Sequence, residues 1–464
     1  MPKHTLRHAF NLKETNEIVA IVGGGGKTSL MFALAHSLPG RIVATTTTRI
    51  FAAQMKLAAA AVFYPAAGAG DAEFFATVSE ELDKWGQCLV IGEVGEQQEK
   101  AFGVPLTLPG QMLAQPDVDF VLVEADGSRM RPIKAPAAHE PVIPPDSTLV
   151  VPVVGMDALT RPLSEIAHRP EKIEELLMVN PATSAGQVSP WSRVNEMLTP
   201  KAVAQILTHP LGGLKGVPVG ARVIPLLNKV ERDAPLAAAQ EIAQLILHEP
   251  RIERVVLGAM QAENPVVEVW GRITAVVLAA GKSTRMGQTK PLLPWGETTI
   301  LGQLLQNLKA STVHDIRVIS GHDADAVEAV AQAEQIHSIR NTEYASGEML
   351  SSLQTAVRHL PAHTEAILVM LADQPLVTPA TIDLLLTAFR QGQGDIIAPI
   401  YAGQRGNPVL ISRRFFNELL ALPAGSAPRK LLRSNPDAVH LVETADESIL
   451  INLNDPETYK RWRP

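Results

Sequence analysis

The chain has 464 residues, 46% of them hydrophobic and 19% charged, with a formal net charge of −7. It is too long for one compact core and too apolar to be disordered, and no basic stretch is long enough to follow a nucleic-acid backbone. The single cysteine, Cys88, excludes intrachain disulfides, zinc ribbons, Fe–S clusters and a CxxC redox pair.

No apolar run reaches the roughly 18–20 residues that a membrane span needs. The first residues, MPKHTLRHAFNLKETNE, lack the apolar core of a secretory signal. These features predict a cytoplasmic protein without a nucleic-acid or membrane partner. Short β-branched runs alternate with helix-length segments, the pattern of parallel βα units. Strands are predicted at 18–22, 42–45, 120–124, 149–154, 223–227 and 255–257 in the first half. In the second half they are predicted at 274–278, 316–319, 367–371, 396–400 and 409–411. Their apolar runs are continuous, as when helices cover both faces of a sheet. Helices are predicted at 326–334, 379–390 and 415–422. A strand running into a glycine-rich turn occurs twice, in IVAIVGGGGKTS (18–29) and in ITAVVLAAGKSTRMG (273–287). The two loops are built differently, so they mark two domains, 1–271 and 272–464.

The first turn, Gly23–Ser29, has the Gly-Lys-Thr end of a phosphate-binding loop. Gly23, Gly24 and Gly26 would offer backbone amides, and Lys27 and Thr28 would address phosphates and Mg²⁺. Ile21 stands where the full pattern wants glycine, and a glycine-rich structural turn is the other reading. Residues 120–128, FVLVEADGS, drive a buried strand into Glu124 and Asp126, of which Asp126 is taken as a candidate metal ligand. In PLLNKVERD (225–233), Asn228 and Lys229 resemble the base-reading NKxD element of GTPases, with Glu231 where Asp is usual. Thr45–Thr48 is either a phosphate-contacting segment or the filled edge of a strand. Together with TTTTRIF, VEADGSRMRPIKAPAAHEPVIP, VVGMDAL and IAHRPEKIEEL, these elements resemble the YqeC-type family, described as accessory to selenium-dependent molybdenum hydroxylases. The resemblance implies a P-loop-like domain that takes ATP or GTP and a molybdenum hydroxylase apoprotein as partner. Within it, Arg131, Lys134, His139, Glu140, His168 and Arg169 are candidates for a polar site, with a structural salt bridge or cap as the alternative for each. Cys88 precedes the run Leu89-Val90-Ile91 and reads as a packing residue.

The second turn begins where a buried strand ends at Leu278. Ala279, Ala280 and Gly281 allow close approach of an anion to the backbone, and Lys282, Arg285 and Lys290 follow within ten residues. This composition suits a triphosphate cradle and also an ordinary basic βα loop. AILVMLADQPLVTP (366–379) delivers Asp373 to a strand's C-terminal edge, either as a Mg²⁺ ligand or as a turn residue. The pattern LAAGxSxRMGxxKxLLPxxG, with DQP some 80–90 residues later, resembles the MocA-type molybdenum cofactor cytidylyltransferases of the MobA-like nucleotidyltransferase group. NTEYASGEMLSSLQTAV (341–357), RGNPVLIS (405–412) and INLNDPETY (451–459) add to it. The resemblance implies a Rossmann-like nucleotidyltransferase domain that transfers CMP from CTP to molybdopterin. Residues Leu278, Ala279, Ala280, Gly281, Lys282, Ser283 and Gly287 would wrap the triphosphate, with Arg285 on its leaving end and Lys290 at the α-phosphate. Asp373 would hold Mg²⁺, with Asn452 or Asn454 beside it. Such chemistry needs positioning and charge neutralisation and no protein nucleophile. Two departures stand out: Asn452-Leu453-Asn454 replaces the DxD common among the cytidylyltransferases, and Asn407 stands where many relatives carry His. The loop favours CTP over GTP. The fold expected is thus α/β throughout, two doubly wound and mostly parallel-sheet domains. The alternatives left open are a non-catalytic cofactor carrier and a guanylyl- or sugar-phosphate nucleotidyltransferase.

Overall fold

A computed structural model describes residues 4–65, 71–93, 100–159, 161–178, 197–230, 234–283 and 286–464. The chain divides into two compact units, Pro2–Trp270 and Gly271–Pro464. Each is mixed α/β around a mostly parallel sheet.

The strands of the first unit's main sheet are β1 (Glu17–Gly23), β2 (Ile42–Thr46), β3 (Ala61–Phe63), β4 (Gln87–Ile91), β5 (Phe120–Glu124), β6 (Leu149–Gly155), β7 (Arg222–Val223), β8 (Leu226–Asn228), β9 (Val255–Gly258) and β10 (Val266–Trp270). They run in the order β10-β9-β8-β6-β1-β5-β2-β4-β3, with β7 also paired to β6. Every pairing is parallel except β9 with β10. The continuous apolar runs have the expected cause. Along β5, Phe120 and Leu122 pack into one core and Val121 and Val123 into the other, so both faces are dry. The predicted strand at 223–227 is broken into β7 and β8, because Pro225 between them has no N–H for the ladder. Helix α1 (Lys27–Ser37) leaves β1 through Gly26 and buries Leu30, Met31, Phe32, Leu34 and Ala35.

The second unit contains β11 (Arg272–Leu278), β12 (Asp315–Ser320), β13 (His337–Arg340), β14 (Thr364–Leu371), β15 (Ile396–Tyr401), β16 (Gln404–Arg405), β17 (Val409–Ser412) and β18 (Val439–Glu443). Its order is β13-β12-β11-β14-β17-β15-β16, with β18 on β15. The first four strands are parallel, whereas β17 runs antiparallel to both β14 and β15. The chain reverses direction across the sheet between β11 and β14, so their C-terminal ends frame the crevice where open α/β sheets bind ligands. Thr378 caps α2 (Pro379–Arg390) by accepting from Thr381 N–H, and Pro379 occupies its first turn. Among the described residues, no helix is long and apolar enough to cross a membrane.

Candidate active site

Leu278 and Leu371 are register partners at the ends of β11 and β14. Beyond them the chain turns over a cleft of about 670 Å³. Ala279 and Ala280 are buried, and Ala279 N–H donates to Ile319 O at 2.9 Å. Apart from its chain neighbours, a Cβ on Gly281 would meet no atom of the described residues within 4 Å. The glycine there keeps space open on the cleft side rather than inside the protein. Ser283 is held in the left-handed region at φ 50°, and its Oγ accepts from Lys290 N–H at 3.1 Å. That bond folds the loop back and aims Lys290 into the cleft. Lys290 Nζ lies 2.6 Å from Asp373 Oδ2 and 3.0 Å from Asn454 Oδ1. Leu453 N–H donates to Asp373 O at 3.2 Å, drawing the segment 452–454 alongside. Asn452 Oδ1 is buried there with no hydrogen-bond partner among the described residues.

Of the residues predicted for this site, Leu278, Ala279, Ala280, Gly281, Lys282, Ser283, Lys290, Asp373, Asn452 and Asn454 all line the cleft. Gly287, at φ 66°, serves a turn and does not line it. Arg285 lies outside the described residues. Tyr344, Met349 and Ser352 line it without having been assigned. They ride on α3 (Tyr344–Arg358), whose position is tied down by the buried Asn341: its amide donates to Ser351 Oγ at 2.9 Å and to Ser352 Oγ at 3.0 Å. Gln374 was also missed. It is fully buried next to Asp373 and donates to Ile449 O at 3.3 Å.

The first unit has its own cleft of about 770 Å³, at the C-terminal ends of β1 and β5, lined by Gly25, Gly26, Lys27 and Thr28. Lys27 is buried; its Nζ donates to Gly23 O at 2.8 Å and sits 3.3 Å from Asp126 and 3.6 Å from Glu124. Burial alone would lower its pKa, but the charges of Asp126 and Glu124 hold it above the ordinary lysine value. Asp126, expected as a metal ligand, is 2% exposed and does not line the cleft. Both its oxygens accept from Gly23 N–H, at 3.1 and 3.0 Å, and Lys134 stands 3.1 Å away. Of these two carboxylates, Glu124 is the one that reaches the cleft, and it accepts from Thr28 Oγ at 2.8 Å. Asp126 thus braces the Gly23 turn and two buried lysines, while Glu124 faces the cleft. No group of three or more His, Cys, Asp or Glu suited to a metal occurs among the described residues.

Asn228 is likewise a strut. Its Nδ2 donates to Gly25 O at 2.8 Å and its Oδ1 accepts from Met260 N–H at 3.0 Å, and it does not line the cleft. Lys229 does line it, and pairs with Asp157 at 2.7 Å. Gly23 and Gly24 pack against the backbone of Val153 and Arg131, where a Cβ would come within 2.4 and 2.5 Å. Glu231 lies outside the described residues. Thr45, Thr46 and Thr47 are spent on backbone carbonyls, donating to Val90 O, Glu124 O and Val142 O respectively, whereas Thr48 lines the cleft. His139, Glu140, His168 and Arg169 do meet at the cleft, whereas Arg131 turns away to Glu165 O. Lys134 and Arg169 each lie 2.7 Å from Glu140 Oε2. Burial would raise the pKa of Glu140, but hydrogen bonds from Arg169 and Lys134 bring it down to about 2. Burial and the charges of Arg169, Lys134 and Arg129 push His168 below the ordinary histidine value.

Comparison with known proteins sorts the two units. The YqeC protein family matches residues 19–171. The uncharacterized protein YqeC of Escherichia coli strain K12 is 30% identical over 262 residues, covering 54% of this chain and 90% of that protein. The chain belongs to the YqeC family. It is a fusion, since the MobA-like NTP transferase domain family matches residues 275–439. The molybdenum cofactor cytidylyltransferase of Escherichia coli strain K12 is 29% identical over 188 residues, 40% of this chain and 93% of that protein. The nicotine blue oxidoreductase of Paenarthrobacter nicotinovorans is 31% identical over 186 residues, 38% of this chain and 89% of that protein. The second unit of this YqeC-family chain is accordingly a nucleotidyltransferase domain of the MobA-like type.

Proposed function

We propose that the second unit transfers CMP from CTP to the terminal phosphate of molybdopterin and releases pyrophosphate. One observation carries this reading: the 278–283 loop, Lys290 and Asp373 converge on a single cleft at the switch point of the sheet. The molybdenum cofactor cytidylyltransferase among the relatives supports the choice of substrates. The oxygen donors present suit Mg²⁺, a hard cation, because Asp373 offers a carboxylate and the buried Asn452 Oδ1 has no other partner among the described residues. Asp373, Asn452 and Asn454 would hold it, and when bound it supplies charge neutralisation for the triphosphate. The backbone N–H groups of the loop hold the phosphates, and Gly281 lets them approach. Lys290 stabilises the charge that builds at the α-phosphate, and Arg285 serves the leaving end. The acceptor phosphate attacks in line, so positioning and electrostatics do the catalysis.

In the first unit, the 770 Å³ cleft takes ATP or GTP on the Gly25–Thr28 loop, as a nucleotide-dependent accessory that serves a molybdenum hydroxylase apoprotein. Pyrophosphate release from each NTP, with and without molybdopterin, tests the main reading. Molybdopterin-dependent release from CTP, lost in Lys290→Ala and Asp373→Asn, is the expected result. Preference for GTP would overturn the nucleotide assignment. Oxidoreductase activity without pyrophosphate release, as the name of the nicotine blue relative suggests for that protein, would overturn the reaction.

A further inference from the structure

Lys290 Nζ sits 2.6 Å from Asp373 Oδ2 and 3.0 Å from Asn454 Oδ1. These are two of the oxygens assigned above to Mg²⁺, and the inference rests on that assignment. An ammonium and a divalent cation compete for them, because two positive charges this close repel. The pair is largely shielded, with the two side chains 16% and 15% exposed, so bulk water does little to screen the contest. Among the described residues lining this cleft, Asp373 is the only carboxylate. Lys290 therefore has no alternative anionic partner among them until a ligand brings one. Its backbone is fixed, by the N–H bond to Ser283 Oγ and by the buried Pro291 that follows. Only the flexible four-carbon stem is left to move.

We propose that Lys290 is an exchangeable internal counter-ion. In the nucleotide-free protein it occupies the Asp373 and Asn454 oxygens and keeps a divalent cation out. An incoming triphosphate offers the ammonium a stronger anionic partner and draws it off, which frees those oxygens. Metal and nucleotide then bind as a coupled pair, and the coupling is the same whichever is varied. A lysine that merely braced the site would have the opposite signature, since its loss would loosen the oxygens and weaken metal binding.

The test uses the full chain without nucleotide, with Mn²⁺ as probe and free Mn²⁺ read by electron paramagnetic resonance. The Asp373→Asn variant, measured in each background, isolates binding at this carboxylate from binding elsewhere. Lys290→Met, which keeps the stem and removes the charge, is expected to tighten Asp373-dependent Mn²⁺ binding at least tenfold. Lys290→Arg, which keeps a cation, is expected to exclude Mn²⁺ as the wild type does, and circular dichroism checks that both variants fold. CTP is expected to strengthen Mn²⁺ binding by a larger factor in the wild type than in Lys290→Met. Equal or weaker Mn²⁺ binding by Lys290→Met, with Asp373→Asn still abolishing it, overturns the exchange alone. Mn²⁺ binding untouched by Asp373→Asn in both backgrounds overturns the metal assignment beneath it as well.

Discussion

Replacing Glu140 by Gln tests whether the charges around the first cleft act as one balanced unit. Lys27, Lys134 and Arg169 face Glu124, Asp126 and Glu140, and the Lys134 side chain is only 1% exposed. Glu140 is nearly as enclosed, at 9%. Holding its carboxyl at about 2 instead of 4.5 is worth about 3 kcal/mol to the folded state. Because the folded value is the depressed one, that stability is fully present above pH 4.5 and drains away as the pH falls toward 2. A neutral amide in place of the carboxylate would leave Lys134 and Arg169 with one anion too few, in a site that water hardly reaches. Glu140→Gln is therefore expected to destabilise the first unit by about 3 kcal/mol at pH 7 and by about 2 kcal/mol at pH 3.5. Urea titration with hydrogen exchange read at Leu149–Gly155 reports this unit separately from the other. A gap below 1 kcal/mol at pH 7, or one that stays constant down to pH 3.5, would refute the reasoning.

Three further outcomes follow from the same geometry. Gly281→Ala should leave thermal stability within about 0.5 kcal/mol of wild type and raise KM for the nucleotide; Gly23→Ala, at φ 94° with Val153 O 2.4 Å from the new Cβ, should cost more than about 1 kcal/mol. Calorimetry that ranks the two the other way would contradict the roles given to these glycines. Asn228→Ala should cost about 1–3 kcal/mol by orphaning Gly25 O and Met260 N–H, and should weaken ATP and GTP equally in equilibrium dialysis. A change in the ATP-to-GTP ratio would instead make Asn228 a reader of the base. Cys88, whose thiol is pushed up to about 12 by burial and then by the charge of Glu81, should resist a thiol reagent at pH 8 until urea is added. Rapid labelling of the native chain would contradict its burial.

Much of the fold was legible because its strands are covered on both faces, which writes an uninterrupted apolar run into each of them. One strand that escaped notice, Gln87–Ile91, carries that signature, with Cys88–Ile91 all buried, but three others lack it. His337–Arg340 has no buried residue, and Val439–Glu443 alternates between partial and full exposure, so neither reads as a core element. Ala61–Phe63 is too short to carry a pattern. The second site was legible in its loop and in Asp373, which stand at the ends of buried strands. Tyr344 and Met349 lie in the segment 341–357 and Gln374 in the DQP turn, but residue order does not tell that the first two line the cleft and the third is buried behind it. Glu124 and Asp126 show the limit most clearly. They stand two residues apart, on the same side of an extended chain, and local pattern cannot rank them. The fold does so by delivering Gly23 N–H, Lys27 and Lys134 to Asp126 and leaving Glu124 at the cleft.

The order of residues alone determined that two strands end in turns of glycine and other small residues with a lysine close behind, because these are contiguous features. Which charges are spent and which are available was decided only by the tertiary structure. Lys290 meets Asp373 across 83 residues of chain, and Asn228 reaches Gly25 across 203. A charge's partner depends on distance in space, and at those separations only the packing of the sheets sets it.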